Sequence, residues 1–323
     1  MWRYVVERLL WLIVICVCVA ILIFSVLFFV PGDPAVTALG TESTDAERYE
    51  WREANGLNDS YLEQLGRYLY ETFICFDLGD SLLTHQPVAK EFAQRLPRTL
   101  GLGLICLAVN VLLGIPLGIA CALHRNTFID HLLTVLAMVG MCMPAFWLAL
   151  LMQQLFAVNL HWLPAIGVSS WKAWIMPVIA GSIGGVAGNV RQTRSAVLET
   201  IRADFITTAR AKGVPEQKVI YKHMLPNALI PILSMLGGAF GHVISGTVII
   251  ETVFAFPGVG MYMLNGTTGR DYPVVRSTVL ILAIFAAVVV LLVDLAYGMV
   301  DPRIKAQFIS YAKKSAKKKK EVA

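Results

Sequence analysis

Six stretches without a single Lys or Arg recur along this chain, at residues 9–30, 99–123, 132–160, 173–190, 227–250 and 277–300, and only the last contains an acid, Asp294. Eighteen or more residues of this kind, wound as a helix, reach about 27 Å or more and cross the hydrocarbon of a bilayer. A compact globule has no interior large enough to hide six such runs. The charged fraction agrees: 15% of the residues are Asp, Glu, Lys or Arg, against about 25% in soluble domains. The expectation is an all-α, polytopic membrane protein with six transmembrane helices.

Lys and Arg set the orientation. With the N-terminus inside, cytoplasmic segments hold 18 of these residues and outer segments 9, so both termini are expected to be cytoplasmic. The first run ends in Phe28, Phe29, Val30 and Pro31 rather than in a small-residue cleavage site, and reads as a retained anchor. The expected division is 1–30 for the N-terminus and helix 1, 31–98 for an extracytoplasmic segment, 99–300 for a five-helix core, and 301–323 for a basic cytoplasmic tail. Segment 31–98 is acidic, with 12 Asp and Glu against 6 Lys and Arg. The tail, with Lys313, Lys314 and Lys317 to Lys320, is a solvated topology signal in contact with anionic lipid rather than a nucleic-acid site. Five of the six cysteines fall in apolar runs and the histidines lack metal-ligand spacing, so neither a disulfide framework nor a metal site is expected.

In the fourth run Gly181, Gly184, Gly185 and Gly188 lie at spacings of three and four, a helix face that another backbone can approach or that lines a pathway. Pro116, Pro144 and Pro177 suggest kinks. Between the fourth and fifth runs, residues 191–226 are too long and too charged for a turn. A short helix is expected around Asp204 to Lys212, stopped by Gly213 and Pro215, and a second is expected from Pro215 towards Met224.

The segment Thr207, Thr208, Ala209, Arg210, Ala211, Lys212, Gly213, followed by Leu225 and Pro226, resembles the EAA loop of ATP-binding-cassette importer permeases. Thr207 stands where that loop usually has glutamate and His223 where isoleucine is common, departures similar to those of the dipeptide and oligopeptide branch. Further stretches resemble that branch in the same order: Gly32–Asp33–Pro34, Asp77 to Ser81, Arg95 to Thr99, Glu251 to Gly260, Arg270 to Val274, and Asp301–Pro302–Arg303. The resemblance implies a type I ABC importer permease fold in a bacterial inner membrane, with the EAA-like loop as the coupling helix. It also implies a sister permease, giving a heterodimer, two ABC ATPase subunits, an extracytoplasmic solute-binding protein, and peptides as the solute. Nickel chelates or glutathione are the alternatives within the family. The chain has no Gly-Lys dipeptide, hence no P-loop of the usual form, so it carries no catalytic residue or cofactor of its own. ATP and Mg belong to the partner ATPases.

Ionisable and polar groups within or beside the spans mark candidate pathway or gate positions: His242, Asn189, Asp294 and Glu251. For His242 a pathway lining and a neutral histidine bonded to a neighbouring helix both stand; for Asp294 an arginine partner is the simpler reading. Phe254, Phe256, Pro257 and Gly258 form an outer loop that gates or caps the mouth. Two other classes compete. A secondary transporter would show internal repeats and more helices, and a membrane-embedded protease would need a reactive dyad within the spans; neither pattern is present.

Overall fold

The computed structural model describes residues 2–229, 231–232 and 247–300. Their regular secondary structure is helical, joined by turns and loops, with one isolated bridge between Asp80 and Pro87. His242, most of the fifth run and the basic tail lie outside them, and the Asp294 side chain does too. Four helices are long and apolar enough to cross a membrane, Val6–Phe29, Val88–Leu123, Trp171–Thr200 and Tyr272–Val293, and a bent pair supplies a fifth if it forms one crossing.

The chain divides into two compact units, 1–97 with 258–323, and 98–257. In the first, α1 (Trp2–Phe29) packs on the last described helix, and α2 (Pro34–Leu39), α3 (Asp45–Ala54) and α4 (Tyr61–Phe73) follow it. Local chemistry starts the small helices. The Asp33 carboxylate accepts from the Ala35 amide at 2.9 Å ahead of Pro34 in the first turn. Thr44 and Glu47 form a reciprocal capping box, which satisfies two amides that the helix itself leaves open. Cys16, Ala20, Phe24, Tyr68 and Leu280 make this unit's core.

The second unit holds most of α5 (Val88–Leu123), then α6 (Phe128–Cys142), α7 (Ala145–Met152) and α8 (Ile175–Thr200). The α7 helix continues as a π-helix, Gln153–Asn159. The third apolar run is therefore not one straight span: α6 and the α7 segment meet at 99°. Met143 there is extended, with φ −78° and ψ 120°, as the ring of Pro144 requires of the residue before it. By contrast, α5 runs unbroken past Pro116, and Pro177 sits in the first turn of α8, where no intrahelical amide bond is lost.

The contact between α5 and α8 rests on glycines of both helices. A β-carbon on Gly114 would come within 2.6 Å of Asn189 Cβ, and one on Gly118 within 2.7 Å of the Val190 carbonyl oxygen. Gly114 and Gly118 form a small-xxx-small pair of the kind that lets membrane helices approach closely. On α8 the four glycines divide. Gly181 lies against Cys106 and Gly185 against Asn110, whereas among the described residues nothing stands within 4 Å of the β positions of Gly184 and Gly188. Gly118→Ala is accordingly expected to destabilise the folded chain by about 1–3 kcal/mol, the usual range for overpacking. Gly184→Ala should stay within about 0.5 kcal/mol. Thermal unfolding of both variants in detergent measures the difference, and equal midpoints would refute the packing argument.

Helices α9 (Asp204–Ala211) and α10 (Glu216–Lys218), the latter continuing as a π-helix Val219–Met224, build the loop after α8. A short α11 (Val248–Val253) completes the second unit. In the first unit α12 (Val259–Thr268) leads into α13 (Tyr272–Val300).

Candidate functional site

The loop after α8 contains the short helix anticipated from the sequence, and its stop is fully bonded. Gly213 has φ +74°, its amide donates to the Arg210 carbonyl at 2.9 Å, and the Val214 amide donates to the Ala209 carbonyl at 3.2 Å. This is a Schellman motif, and it needs a residue that accepts a left-handed backbone at Gly213. Val214 and Ala209 also pack in the same apolar cluster, the contact that accompanies such a cap.

The helix has two faces. Ile206 and Ala209 are buried with Val197, Val219, Met224 and Ala228, which fixes α9 against α8 and the segment 219–228. Thr207, Thr208, Arg210, Ala211, Lys212 and Gly213 are exposed, Leu225 is half-buried and Pro226 is exposed. Of the residues singled out in sequence, Ala209 is thus a packing residue, while its neighbours form the outer face. Arg210 donates to both carboxylate oxygens of Glu216, at 3.1 and 2.6 Å. That guanidinium holds the Glu216 carboxyl below the usual carboxylate range. Two aromatic residues on this surface were missed by sequence reasoning: Phe205, 45% exposed, and Tyr221, 70% exposed. Their signal was available, since both fall out of register with the buried positions 206, 209, 219 and 224.

Of the candidate pathway residues that the structure describes, Asn189 belongs to the α5–α8 contact and the others fall in residues 251–258. Asn189 donates to the Asn110 carbonyl at 3.1 Å, within the α5–α8 contact. Glu251 is fully buried, and its Oε1 accepts from Thr99 at 2.7 Å and from Thr247 at 3.1 Å. Phe254 and Phe256 are buried in the core with Leu102, Met152 and Met176, and Phe256 meets Trp174 edge to face at 4.8 Å between centroids. Backbone and amide bonds pin this loop: Gly167 N–H to Phe254 O at 3.0 Å, and Gln153 Nε2 to Val253 O at 3.0 Å and Ala165 O at 2.9 Å. Pro257 is half-buried and Gly258 buried. Among the described residues no group of His, Cys, Asp and Glu could hold a metal ion.

Apolar helices of spanning length, a glycine-mediated helix contact and a short capped helix with an exposed face define a helical, multi-pass membrane protein. Family models agree over nearly all of the chain. Residues 114–306 match the binding-protein-dependent transport system inner membrane component, and residues 1–103 match the N-terminal part of the same membrane component. The chain belongs to this family, and it is the membrane-spanning permease subunit of an ABC importer of the inner membrane. Among curated proteins it is 37% identical over 333 residues to the dipeptide transport system permease protein DppB of Alkalihalophilus pseudofirmus, covering 94% of this chain and 100% of that one. It is also 37% identical over 307 residues to the glutathione transport system permease protein GsiC of Salmonella typhimurium, with 94% and 99% covered. Among solved structures, the inward-facing MetNI methionine ABC transporter matches with TM-score 0.55 at 16% identity, over 66% of this chain and 97% of that one. An amino acid ABC transporter with histidines matches with TM-score 0.51 at 17% identity, over 67% and 94%. At these identities the two structures speak for the fold alone.

Proposed function

We propose that this chain forms half of a translocation pathway for di- or oligopeptides handed over by an extracytoplasmic binding protein. A sister permease supplies the other half, and two ATPase subunits drive the cycle. The observation that carries the peptide reading is the end-to-end match, at 37% identity, to a permease named for dipeptides. The GsiC relatives support glutathione, itself a small peptide, as the second reading.

In this proposal both termini and the loop 191–226 are cytoplasmic, and segment 31–98 faces outward. The exposed face of α9, from Thr207 to Gly213, enters a groove on an ATPase, and the half-buried Leu225 with Pro226 carries its displacement into the fifth span. ATP binding then shifts the permease only by as much as the ATPase prefers one of its conformations. The buried ring pair Phe254 and Phe256, the Glu251 carboxylate, Pro257 and Gly258 hold the outer loop closed in one of these states, and Asn189 couples α5 to α8. His242 and Asp294 complete the set of pathway candidates. Proteoliposomes holding this chain, its sister permease, the ATPases and the binding protein test the reading. ATP-dependent uptake of a labelled dipeptide is expected, with glutathione taken up at a lower rate. Uptake of glutathione alone would select the second reading, and peptide uptake that persists without ATP under a proton gradient would overturn both.

A further inference from the structure

Helix α4 carries its charges towards one end. Glu63, Arg67 and Glu71 interrupt the apolar pattern of its first three turns, and Arg67 is paired with Asp59 just ahead of the helix. From Thr72 to Phe76 no charged residue follows. The inward face is covered: Tyr68 is buried with Phe24 and Leu280, and Leu65 and Leu69 pack on the same cluster. The end of the helix is not. Ile74 is 65% exposed and Phe76 85%, Tyr70 one turn before Ile74 is exposed with them, and so is Cys75. The Asp77 amide donates to the Glu71 carbonyl at 2.9 Å, which closes the helix over a Phe76 whose φ is +54°. Glycine is the usual residue at such a cap, because a β-carbon in a left-handed backbone crowds the following carbonyl. Phe76 bears that cost, yet its side chain stays outside the unit's core.

The depth of this tip follows from what α4 touches on either side. Tyr61 stacks on Phe29 and Tyr68 on Phe24, with ring centroids 5.7 and 5.6 Å apart, so α4 lies along the last turns of the span Val6–Phe29. Beyond the tip, the Ser277 hydroxyl donates to the Leu78 carbonyl at 2.7 Å, and Ser277 opens the last uncharged run of the chain. Phe76, two residues before Leu78, is therefore level with the boundary at which that run enters hydrocarbon. Apolar side chains gain free energy on leaving water there, and aromatic rings are favoured in that layer. We propose that the end of α4 inserts Tyr70, Ile74 and Phe76 into the interfacial layer of the bilayer, against the glycerol and upper acyl region of phospholipids, while the charged turns of the helix and Asp77 stay among the headgroups and water. The left-handed turn keeps Phe76 off the core under α4 and free for lipid. The segment after α1 is thereby pinned to the membrane, whichever solute the permease moves.

A nitroxide attached to Cys75 reads this depth, in a full chain whose other cysteines are changed to alanine, assembled with its partner subunits in phospholipid nanodiscs. Dissolved oxygen should collide with the label at least about fivefold more often than a charged metal chelate does, because the apolar layer excludes the charge and admits oxygen. Ile74→Asn combined with Phe76→Asn should fold, since asparagine tolerates the left-handed backbone at position 76, and should turn the preference towards the chelate. A label on the unaltered tip that the chelate reaches more readily than oxygen would place the tip in water and overturn the proposal. Low collision rates with both reagents would mean that a partner subunit covers the tip, which overturns the lipid assignment. An oxygen preference unchanged in the double variant would show that Ile74 and Phe76 do not hold the tip in the bilayer, and would overturn it as well.

Discussion

Replacing Arg194 with Met is expected to destabilise the folded permease by about 2–4 kcal/mol. Arg194 donates through Nε and Nη2 to the two oxygens of Asp130, at 2.7 and 2.8 Å. The Asp130 side chain is 2% exposed and the Arg194 side chain 29%. The carboxylate also accepts from the Asn126 amide at 3.0 Å, so one group closes the turn between α5 and α6 and ties α6 to α8. Removing the guanidinium leaves a buried carboxylate with only the Asn126 amide and the Thr134 hydroxyl, 3.4 Å away, for compensation, which is the expensive way to break such a pair; the partial exposure of Arg194 keeps the cost below that of a fully buried one. Asp130→Leu combined with Arg194→Met should recover at least half of the loss, because no unpaired charge then remains. Thermal midpoints of the two single variants and the double variant, read in detergent, give the coupling; additive losses would show that the pair does not act as a unit.

That pair joins residues 64 positions apart, and nothing local in the sequence announces it. What the sequence does announce are properties that need no partner. The apolar runs locate α1 and α13, and Gly213 with Pro215 locates the end of α9, because a left-handed cap is a property of the local backbone. The start of α5 was not legible: the helix begins at Val88, well before the uncharged run at residue 99, because Lys90, Glu91 and Arg95 end the apolar pattern without ending the helix. Pro144 signalled a break, but its size depends on how α7 packs on α8 and α11. The same holds for the site. The exposed tip of α9 was readable as small residues before a stop, yet the division between a buried Ala209 and an exposed Thr208 follows from the cluster under the helix. Phe254 and Phe256 read as part of an outer loop that gates or caps the mouth, and their burial beside Trp174, about 80 residues earlier in the chain, had no local signal.

The division within α9 supplies the sharpest test of the coupling proposal. Thr208→Trp places an indole on the exposed face, where among the described residues the native hydroxyl bonds only to the Asp204 carbonyl of its own helix, at 2.9 Å. The folded permease should therefore keep its thermal midpoint to within about 2 °C, the scale of a neutral surface change in a chain of this size. ATP-driven uptake by the assembled transporter should fall at least tenfold, because the added bulk must be accommodated in the ATPase groove and costs about 1–3 kcal/mol of complementarity there. Ala209→Trp behaves in the opposite order. Ala209 is 9% exposed and packs against Ile206 and Val219, so an indole at that position displaces the helix itself and lowers the midpoint before any partner is added. Unfolding scans of the permease and uptake assays of the transporter, run on both variants, separate the two effects. A Thr208→Trp transporter with full ATP-driven uptake would mean that no ATPase seats on this face, and the power stroke would have to enter the membrane by another route.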